Sequence, residues 1–199
     1  GLDVEEPVGN MVFVIGGGTT EIAVIALSGI VTDQSIRIAG DEFTNDIIDY
    51  MKRKHNILIG ERTAEQIKIN VGAAIADLTD APPKYAVNGR DMLTGIPKQV
   101  FTTHTEVAEA LDKSIAKIEE AVLKALEDTP PELSSDIYRT GIYLTGGGAL
   151  LRGLDRRMAT KTKLNVHIAE DPLRAVVRGT GIALKNSHKY SFLMDRKSI

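Results

Sequence analysis

Two apolar runs of this chain each end in three consecutive glycines. The first run is MVFVIGGGTTE, residues 11–21, and the second is GIYLTGGGA, residues 141–149. Glycine loses more backbone freedom on folding than other residues, so a triplet indicates a special turn or a close approach that side chains would block. Successive N–H groups in such a turn form a concavity that binds anions. Two such turns in one domain predict a polyphosphate ligand, whereas either turn alone is also typical of a tight structural connection.

Neither triplet belongs to a common nucleotide-binding motif. The sequence contains no G-x-x-x-x-G-K-[ST], and neither triplet supplies a G-x-G-x-x-G that opens a crossover helix. Glu65 and Lys68 are spaced i and i+3 on a predicted helix, where they could contact a polar ring and sugar hydroxyls or form a solvated ion pair. Thr19 and Thr20 could donate hydroxyl groups to phosphate or act as ordinary strand residues.

The composition restricts the partners of the chain. Its 24 basic and 27 acidic residues give a formal net charge of −3 without a basic block, so we expect no nucleic-acid partner. The chain has no cysteine, which excludes disulfides and fits a reducing cytoplasm. The four histidines lack the spacing of metal ligands. No apolar run approaches the ~18 residues of a membrane span, and the first ten residues lack signal-peptide features.

Strand patterns occupy both ends of the chain. Short links require the first three strands to form an antiparallel meander, with Ser28 and Gly29 as a two-residue link. The last two strands alternate with helical stretches, which predicts parallel pairing. The predicted strands are residues 11–15, 21–27, 30–38, 141–145 and 165–168. They predict an α/β fold with a mixed sheet of about five strands and helices on its faces.

Helical periodicity fills most of the remaining chain. Residues 41–55 form one predicted helix, and Thr63 with Gln66 matches a capping box that opens a second helix to about Ala74. A third helix has a continuous apolar stripe: Val107, Leu111, Ile115, Ile118, Val122 and Leu126. A short helix follows Pro130 and Pro131, another begins near Ala149, and Asp171 with Pro172 predicts the start of a last helix over residues 173–185.

The middle of the chain has the character of an insertion. Residues 77–103 are punctuated by proline and glycine, and Asn88 with Gly89 fits a hairpin turn. We therefore expect a core subdomain of residues 1–40 and 105–186, an inserted small α+β subdomain of residues 41–104, and a loosely held tail of residues 187–199 in which Phe192, Leu193 and Met194 could dock.

Six ordered segments resemble the bacterial actin homologues of the MreB family. The segments are VIGGGTTEIAVI, IRIAGDEF, IGERTAEQIK, GRDMLTGIPK, YLTGGGALLRGL and AEDPLRAVVRGTG. The resemblance covers nearly all of residues 1–186 and concerns only the C-terminal lobe of that family. It implies an actin-like (ribonuclease H-like) ATPase fold and a filament-forming, ATP-binding cytoskeletal protein at the inner face of the cell membrane, which maintains rod shape by organising cell-wall synthesis.

The resemblance also assigns candidate nucleotide-binding residues. Gly16, Gly17, Gly18 and Thr19 match the family's second phosphate loop, and Glu65 and Lys68 match its adenosine-contacting helix. The second triplet with the residue after it, Gly146, Gly147, Gly148 and Ala149, matches the loop beneath the base and the sugar. The implied cofactors are ATP and Mg²⁺, and the implied partners are further copies of the chain and membrane adaptor proteins for cell shape.

Two departures from the family pattern limit what the resemblance implies. Val14 stands where the family normally has an aspartate that helps hold magnesium and its waters, and valine has no oxygen to offer. The N-terminal lobe, with its own phosphate loop and the membrane-inserting segment, has no counterpart in this sequence. We therefore expect an excised half or a partial gene product that binds ATP weakly, with no catalytic or metal-ligating residue assigned in this lobe.

Three functions remain open on the sequence. The first is the nucleotide-binding lobe of an ATP-dependent filament protein. The second is a structural filament module that has lost hydrolysis, which Val14 favours. The third is another ATPase of the same fold, such as a sugar kinase or a heat-shock chaperone, although segments resembling their substrate-binding parts are not found.

Overall fold

The computed structural model describes residues 6–188 and residue 190. Within these residues the chain forms eight strands and six α-helices. The strands are β1 Asn10–Ile15, β2 Thr20–Ala26, β3 Gly29–Ile36, β4 Ile57–Leu58, β5 Tyr85–Asp91, β6 Pro97–Thr102, β7 Ile142–Thr145 and β8 Val166–Ile168. The helices are α1 Gly40–His55, α2 Glu61–Val71, α3 His104–Glu127, α4 Pro131–Thr140, α5 Leu154–Thr162 and α6 Ala175–Lys185.

The larger sheet is mixed, as predicted. Its strand order is β3-β2-β1-β7-β8, with antiparallel pairing from β1 to β3 and parallel pairing of β1, β7 and β8. The meander follows from links too short for a crossover, whereas α4 and α5 provide the long connections that parallel strands require. The parallel pair Val14 and Thr145 places the carboxyl ends of β1 and β7 at the same edge. Both glycine triplets therefore leave the sheet side by side.

The link between β2 and β3 differs from the prediction by one residue. It consists of Leu27 and Ser28, with φ of 50° and 60°, whereas Gly29 already belongs to β3. Two consecutive residues with positive φ match the right-handed twist of the flanking strands, which is why this turn geometry is favoured in hairpins. The geometry of the sheet therefore requires a left-handed conformation of Leu27, a residue type that rarely adopts it.

A second, three-stranded sheet, β4-β5-β6, lies within the range predicted for the inserted subdomain. One hydrophobic core connects it to the larger sheet, since Phe43, Ile67 and Val87 belong to the same buried cluster as Phe13 and Leu144. The proposed subdomain boundaries remain a prediction.

The predicted turn at Asn88 and Gly89 is wrong. Both residues lie within β5, where Gly89 pairs with Lys98 of β6. A Cβ on Gly89 would overlap the Leu58 carbonyl oxygen of β4, so this glycine permits close strand approach. The reversal occurs after Asp91, whose carboxylate accepts hydrogen bonds from the N–H groups of Leu93 and Thr94.

Helix α3 is confirmed as a core-packing helix. Five residues of its predicted stripe are buried and the sixth is partly buried: Val107, Leu111, Ile115, Ile118, Val122 and Leu126. The helix begins at a capping box in which the Thr103 hydroxyl accepts from Glu106 N–H and the Glu106 carboxylate accepts from Thr103 N–H. It packs against β2, β3 and α1.

Two other predicted helix starts are wrong. Helix α2 begins at Glu61 with Gly60 as its N-cap residue. Thr63 therefore lies inside the first turn and is not the N-cap that the capping-box pattern predicted. Helix α6 begins at Ala175, later than Asp171 and Pro172 predict. The Pro172 carbonyl instead accepts hydrogen bonds from Gly146 N–H and the Thr145 hydroxyl, which fixes this residue against the end of β7. The helix expected near Ala149 also differs: Gly147–Leu150 form a short 3-10 turn that includes two glycines of the second triplet, and α5 begins only at Leu154.

Among residues 6–188 and 190, no helix combines the length and apolar character needed to cross a membrane. The predicted docking of Phe192, Leu193 and Met194 lies outside the described residues.

Candidate functional site

The first glycine triplet forms an open loop between β1 and β2. None of its three residues has a left-handed φ, and the loop closes through a 2.9 Å hydrogen bond from Gly16 N–H to the Thr19 carbonyl. A Cβ on Gly17 would meet only the carboxylate of Asp41, at 3.7 and 3.9 Å. The space above Gly17 and Gly18 is therefore available to a ligand.

The start of helix α1 supports this loop from one side. Gly40 N–H donates to the Gly16 carbonyl at 3.1 Å, and Asp41 N–H donates to the Gly17 carbonyl at 2.8 Å. The carbonyl groups of Gly16 and Gly17 are thus directed toward α1. The N–H groups of Gly17 and Gly18 donate no hydrogen bond to other described residues, which is the arrangement that an anion-binding loop requires.

Lys68 and Glu65 do not form the solvated ion pair considered above. The Lys68 ammonium group contacts Glu65 Oε2 at 2.6 Å and donates to the Gly40 carbonyl at 2.8 Å and to the Thr44 hydroxyl at 3.0 Å. These three partners use all three of its protons. Lys68 therefore anchors the start of α1, which carries Asp41, to helix α2, while the half-exposed Glu65 retains Oε1 without a described partner.

The second triplet has a different local structure. Gly146 has a φ of +83°, and a Cβ there would overlap the backbone of Ile15. A Cβ on Gly148 would overlap the Ile15 side chain, and Ala149 is buried in the core. Only Gly147 has room for a side chain, with Leu173 at 3.4 Å. Close packing of this loop on β1 thus explains Gly146 and Gly148 without a ligand.

The three predicted parts converge on one cavity of about 670 Å³. Six of the predicted site residues line it: Gly16, Gly17, Glu65, Lys68, Gly147 and Gly148. The remaining four do not line it: Gly18, Thr19, Gly146 and Ala149. Gly18 and Thr19 belong to the open loop beside the cavity, whereas Gly146 and Ala149 pack beneath it.

Several residues of the cavity were not predicted. They are Gly40, Asp41, Phe43, Ile69, Leu150, Leu151 and Leu173. Ile69, Leu150 and Leu173 are more than half exposed, so the cavity presents apolar surface beside its polar loop. Such a mixed lining suits a ligand with both a flat apolar part and an anionic part. The segment IRIAGDEF, used above only for the family resemblance, contains Gly40, Asp41 and Phe43 and could have indicated them, whereas Ile69, Leu150, Leu151 and Leu173 have no distinctive pattern.

A larger cavity of about 760 Å³ lies elsewhere, between residues 74–77, α3 and α5. Its central charges neutralise each other, because Arg157 pairs with Glu119 at 2.6 Å and with Asp112 at 2.8 Å. Burial opposes the charge of Arg157, but hydrogen bonds and attraction from Glu119 raise its pKa above the ordinary value. None of the predicted site residues lies there, so size alone does not mark the functional cavity.

The fold and this edge of the sheet define an actin-like α/β protein. The family model described as MreB/Mbl protein matches residues 1–191. The chain therefore belongs to the MreB/Mbl family, and the resemblance inferred from its motifs is confirmed.

Individual relatives agree with this assignment. The cell shape-determining protein Mbl of Bacillus subtilis is 48% identical over 189 residues, which cover 95% of this chain and 56% of Mbl. The structure of MreB 5 of Spiroplasma citri bound to AMPPNP has a TM-score of 0.90 at 38% identity, covering 94% of this chain and 56% of that one. The MamK double helical filament has a TM-score of 0.68 at 22% identity, covering 82% of this chain and 50% of that one, and shows the fold alone. This chain thus spans about half the length of these proteins.

Proposed function

We propose that this chain forms one wall of the ATP site in an actin-like filament protein that maintains rod cell shape by organising cell-wall synthesis. The observation that carries the proposal is the convergence of Gly16–Gly17, Glu65–Lys68 and Gly147–Gly148 on one cavity. The open N–H groups of the first loop would receive phosphate, and the apolar side chains would receive the base. The AMPPNP-bound state of MreB 5, a relative with a TM-score of 0.90, supports a nucleotide ligand.

The helix that follows the proposed site has an exposed apolar face. Helix α6 follows the cavity residue Leu173, and no residue of this helix is buried. Its large apolar side chains are more than half exposed: Val176, Val177, Ile182 and Leu184. We propose this face as the contact surface for the part of a full-length family protein that the present chain does not span. Half a cleft excludes water poorly, so we expect this chain alone to bind ATP weakly.

A glycine-to-alanine pair tests the site. Gly17→Ala adds a methyl group beside the open N–H groups without overlapping the protein, and Gly179→Ala adds one on exposed α6 where nothing lies within 4 Å. We expect Gly17→Ala to weaken binding of a fluorescent ATP analogue by about tenfold or more, equivalent to about 1.4 kcal/mol. Gly179→Ala should bind like the unmodified chain. Equal affinities for both variants would place the nucleotide elsewhere.

The alternative is a filament module that assembles without hydrolysing ATP, and Val14 favours it. We propose self-association into protofilaments, adaptor contacts and a location at the inner membrane face for the full-length protein in either case. Phosphate release and filament pelleting of the full-length protein, with valine or aspartate at position 14, separate the two. Turnover only with aspartate, together with pelleting of both forms, supports the module; equal turnover supports an ATPase.

A further inference from the structure

The candidate nucleotide cavity contains one carboxylate that has no partner. Asp41 lines the cavity beside Gly17, and its carboxylate forms no hydrogen bond or ion pair with the other described residues. The other carboxylate of the lining, Glu65, is paired with Lys68. The protons of Lys68 are used by Glu65, Gly40 and Thr44. The cavity thus presents a carboxylate without a cationic side-chain partner next to the loop proposed to receive phosphate.

A phosphate group bound at the Gly17 loop and the Asp41 carboxylate would repel each other unless a cation lay between them. Arg62 lines the neighbouring groove with Asp41 but forms no ion pair with it. Among the described residues, Lys68 is the one basic side chain that lines the nucleotide cavity, and its protons are already used by Glu65, Gly40 and Thr44. A hydrated divalent cation bound to the phosphates would remove the repulsion, and carboxylate oxygens are the ligands that Mg²⁺ prefers.

Position 14, where the sequence resemblance implies a metal-binding aspartate, offers no ligand for a cation. The side chain of Val14 has no oxygen, and its cross-strand neighbours are Glu21 and Thr145. Glu21 accepts a hydrogen bond from Ser35 at 2.9 Å, and the Thr145 hydroxyl donates to the Pro172 carbonyl. Neither Glu21 nor Thr145 lines the cavity. Asp41 is therefore the better placed carboxylate for a cation that accompanies the nucleotide.

We infer that Asp41 makes nucleotide binding by this chain dependent on a divalent cation, in place of the aspartate absent at position 14. The cation, when bound, neutralises the phosphate charge that faces Asp41. This inference rests on the proposed nucleotide site. It assigns to Asp41 a specificity role: selection of the metal complex of the nucleotide over the free nucleotide.

Helix α1 offers a matched control for the charge of Asp41. Glu42 is the next residue of the same first turn, so it has a similar interaction with the helix dipole, but it does not line the cavity. The variants Asp41→Asn and Glu42→Gln each remove one negative charge with little change of shape. The fluorescent ATP analogue is titrated against both variants and the unmodified chain, once with MgCl₂ and once with EDTA.

We expect the ratio of the dissociation constants in EDTA and in Mg²⁺ to fall by about tenfold in Asp41→Asn. The change should arise mainly from tighter binding in EDTA, because the repulsion has been removed. Glu42→Gln should keep the ratio of the unmodified chain, and Asp41→Glu should restore most of it. Thermal unfolding of each variant confirms that it is folded.

An equal ratio in Asp41→Asn and Glu42→Gln would overturn the inference while leaving the nucleotide site intact. A ratio that falls in Glu21→Gln and not in Asp41→Asn would instead place the cation beside Val14, whose cross-strand neighbour is Glu21. Absence of nucleotide binding in the unmodified chain and in every variant would overturn the proposed function, and this inference with it.

Discussion

The two glycine triplets have the same sequence, but glycine is needed in them for different physical reasons. The first, Gly16–Gly18, has no left-handed residue, and the Cβ positions of Gly17 and Gly18 have room. The second, Gly146–Gly148, contains a left-handed glycine, and two of its Cβ positions would overlap Ile15. Glycine in the first loop leaves N–H groups open to a ligand, whereas glycine in the second lets the loop pack on β1. A repeated motif therefore does not imply a repeated role.

The largest expected effect is that of Gly146→Ala. The new methyl group would overlap the Ile15 backbone and force a left-handed conformation on alanine, so we expect a loss of unfolding free energy of about 3 kcal/mol or more. Denaturant unfolding measures this loss. Gly147→Ala is the control within the same triplet, because its Cβ would meet only the end of the Leu173 side chain. Similar losses in both variants would contradict the packing explanation of this loop.

An intermediate effect is expected for Lys68→Met. This change keeps the apolar stem but leaves Gly40, Thr44 and Glu65 without their cationic partner, at a cost of about 1 to 3 kcal/mol. Because Gly40 also donates to Gly16, amide exchange should accelerate in the first loop and remain unchanged in the second. The exposed Lys113→Met serves as control. Equal acceleration in both loops would show that Lys68 stabilises the sheet edge as a whole.

A small effect on stability is expected for Gly17→Ala. Its Cβ meets the Asp41 carboxylate at ordinary contact distance, and alanine restricts the unfolded chain, so the free energy of unfolding should change by less than about 1 kcal/mol. Denaturant unfolding in parallel with Gly146→Ala measures the contrast directly. A loss as large as that of Gly146→Ala would remove the distinction between the two loops.

The smallest effect concerns the opposite end of β1. The Gly9 N–H and the Arg139 guanidinium hold the pKa of Asp136 below its ordinary value of 3.8. Its stabilising contribution is present above that value and is lost as pH falls through the lowered pKa. Unfolding below about pH 4 should therefore become less pH-dependent in Asp136→Asn than in the unmodified chain. An identical acid profile would mean that this end of β1 is held by other contacts.

The sequence predicted helices and strands well where hydrophobic periodicity was strong. It predicted turns and the first residues of helices poorly where tertiary contacts decide their positions. The α3 stripe and the five-stranded mixed sheet follow from spacing and link length. The turn expected at Asn88–Gly89 failed because β4 crosses Gly89, and the helix start expected at Asp171 failed because Pro172 is hydrogen-bonded to the end of β7. Such contacts join residues distant in sequence, so local patterns cannot reveal them.

Some features of the candidate site could likewise be predicted from the sequence, and others could not. The glycine loops, Glu65 and Lys68 were visible in the sequence because their motifs resemble a known family. The position of Asp41 beside Gly17, the use of all Lys68 protons and the apolar lining by Ile69, Leu150 and Leu173 were not visible. These features depend on the approach of α1, α2 and the second loop toward one edge of the sheet.

The sequence by itself determined the family, the α/β class and the antiparallel or parallel direction of the strands, because hydrophobic period, link length and ordered motifs are local properties of the chain. Tertiary structure alone decided which glycines are open and which are packed, and which carboxylate faces the cavity. Burial and electrostatic pairing depend on neighbours brought together by folding, so identical triplets acquire different roles only in three dimensions.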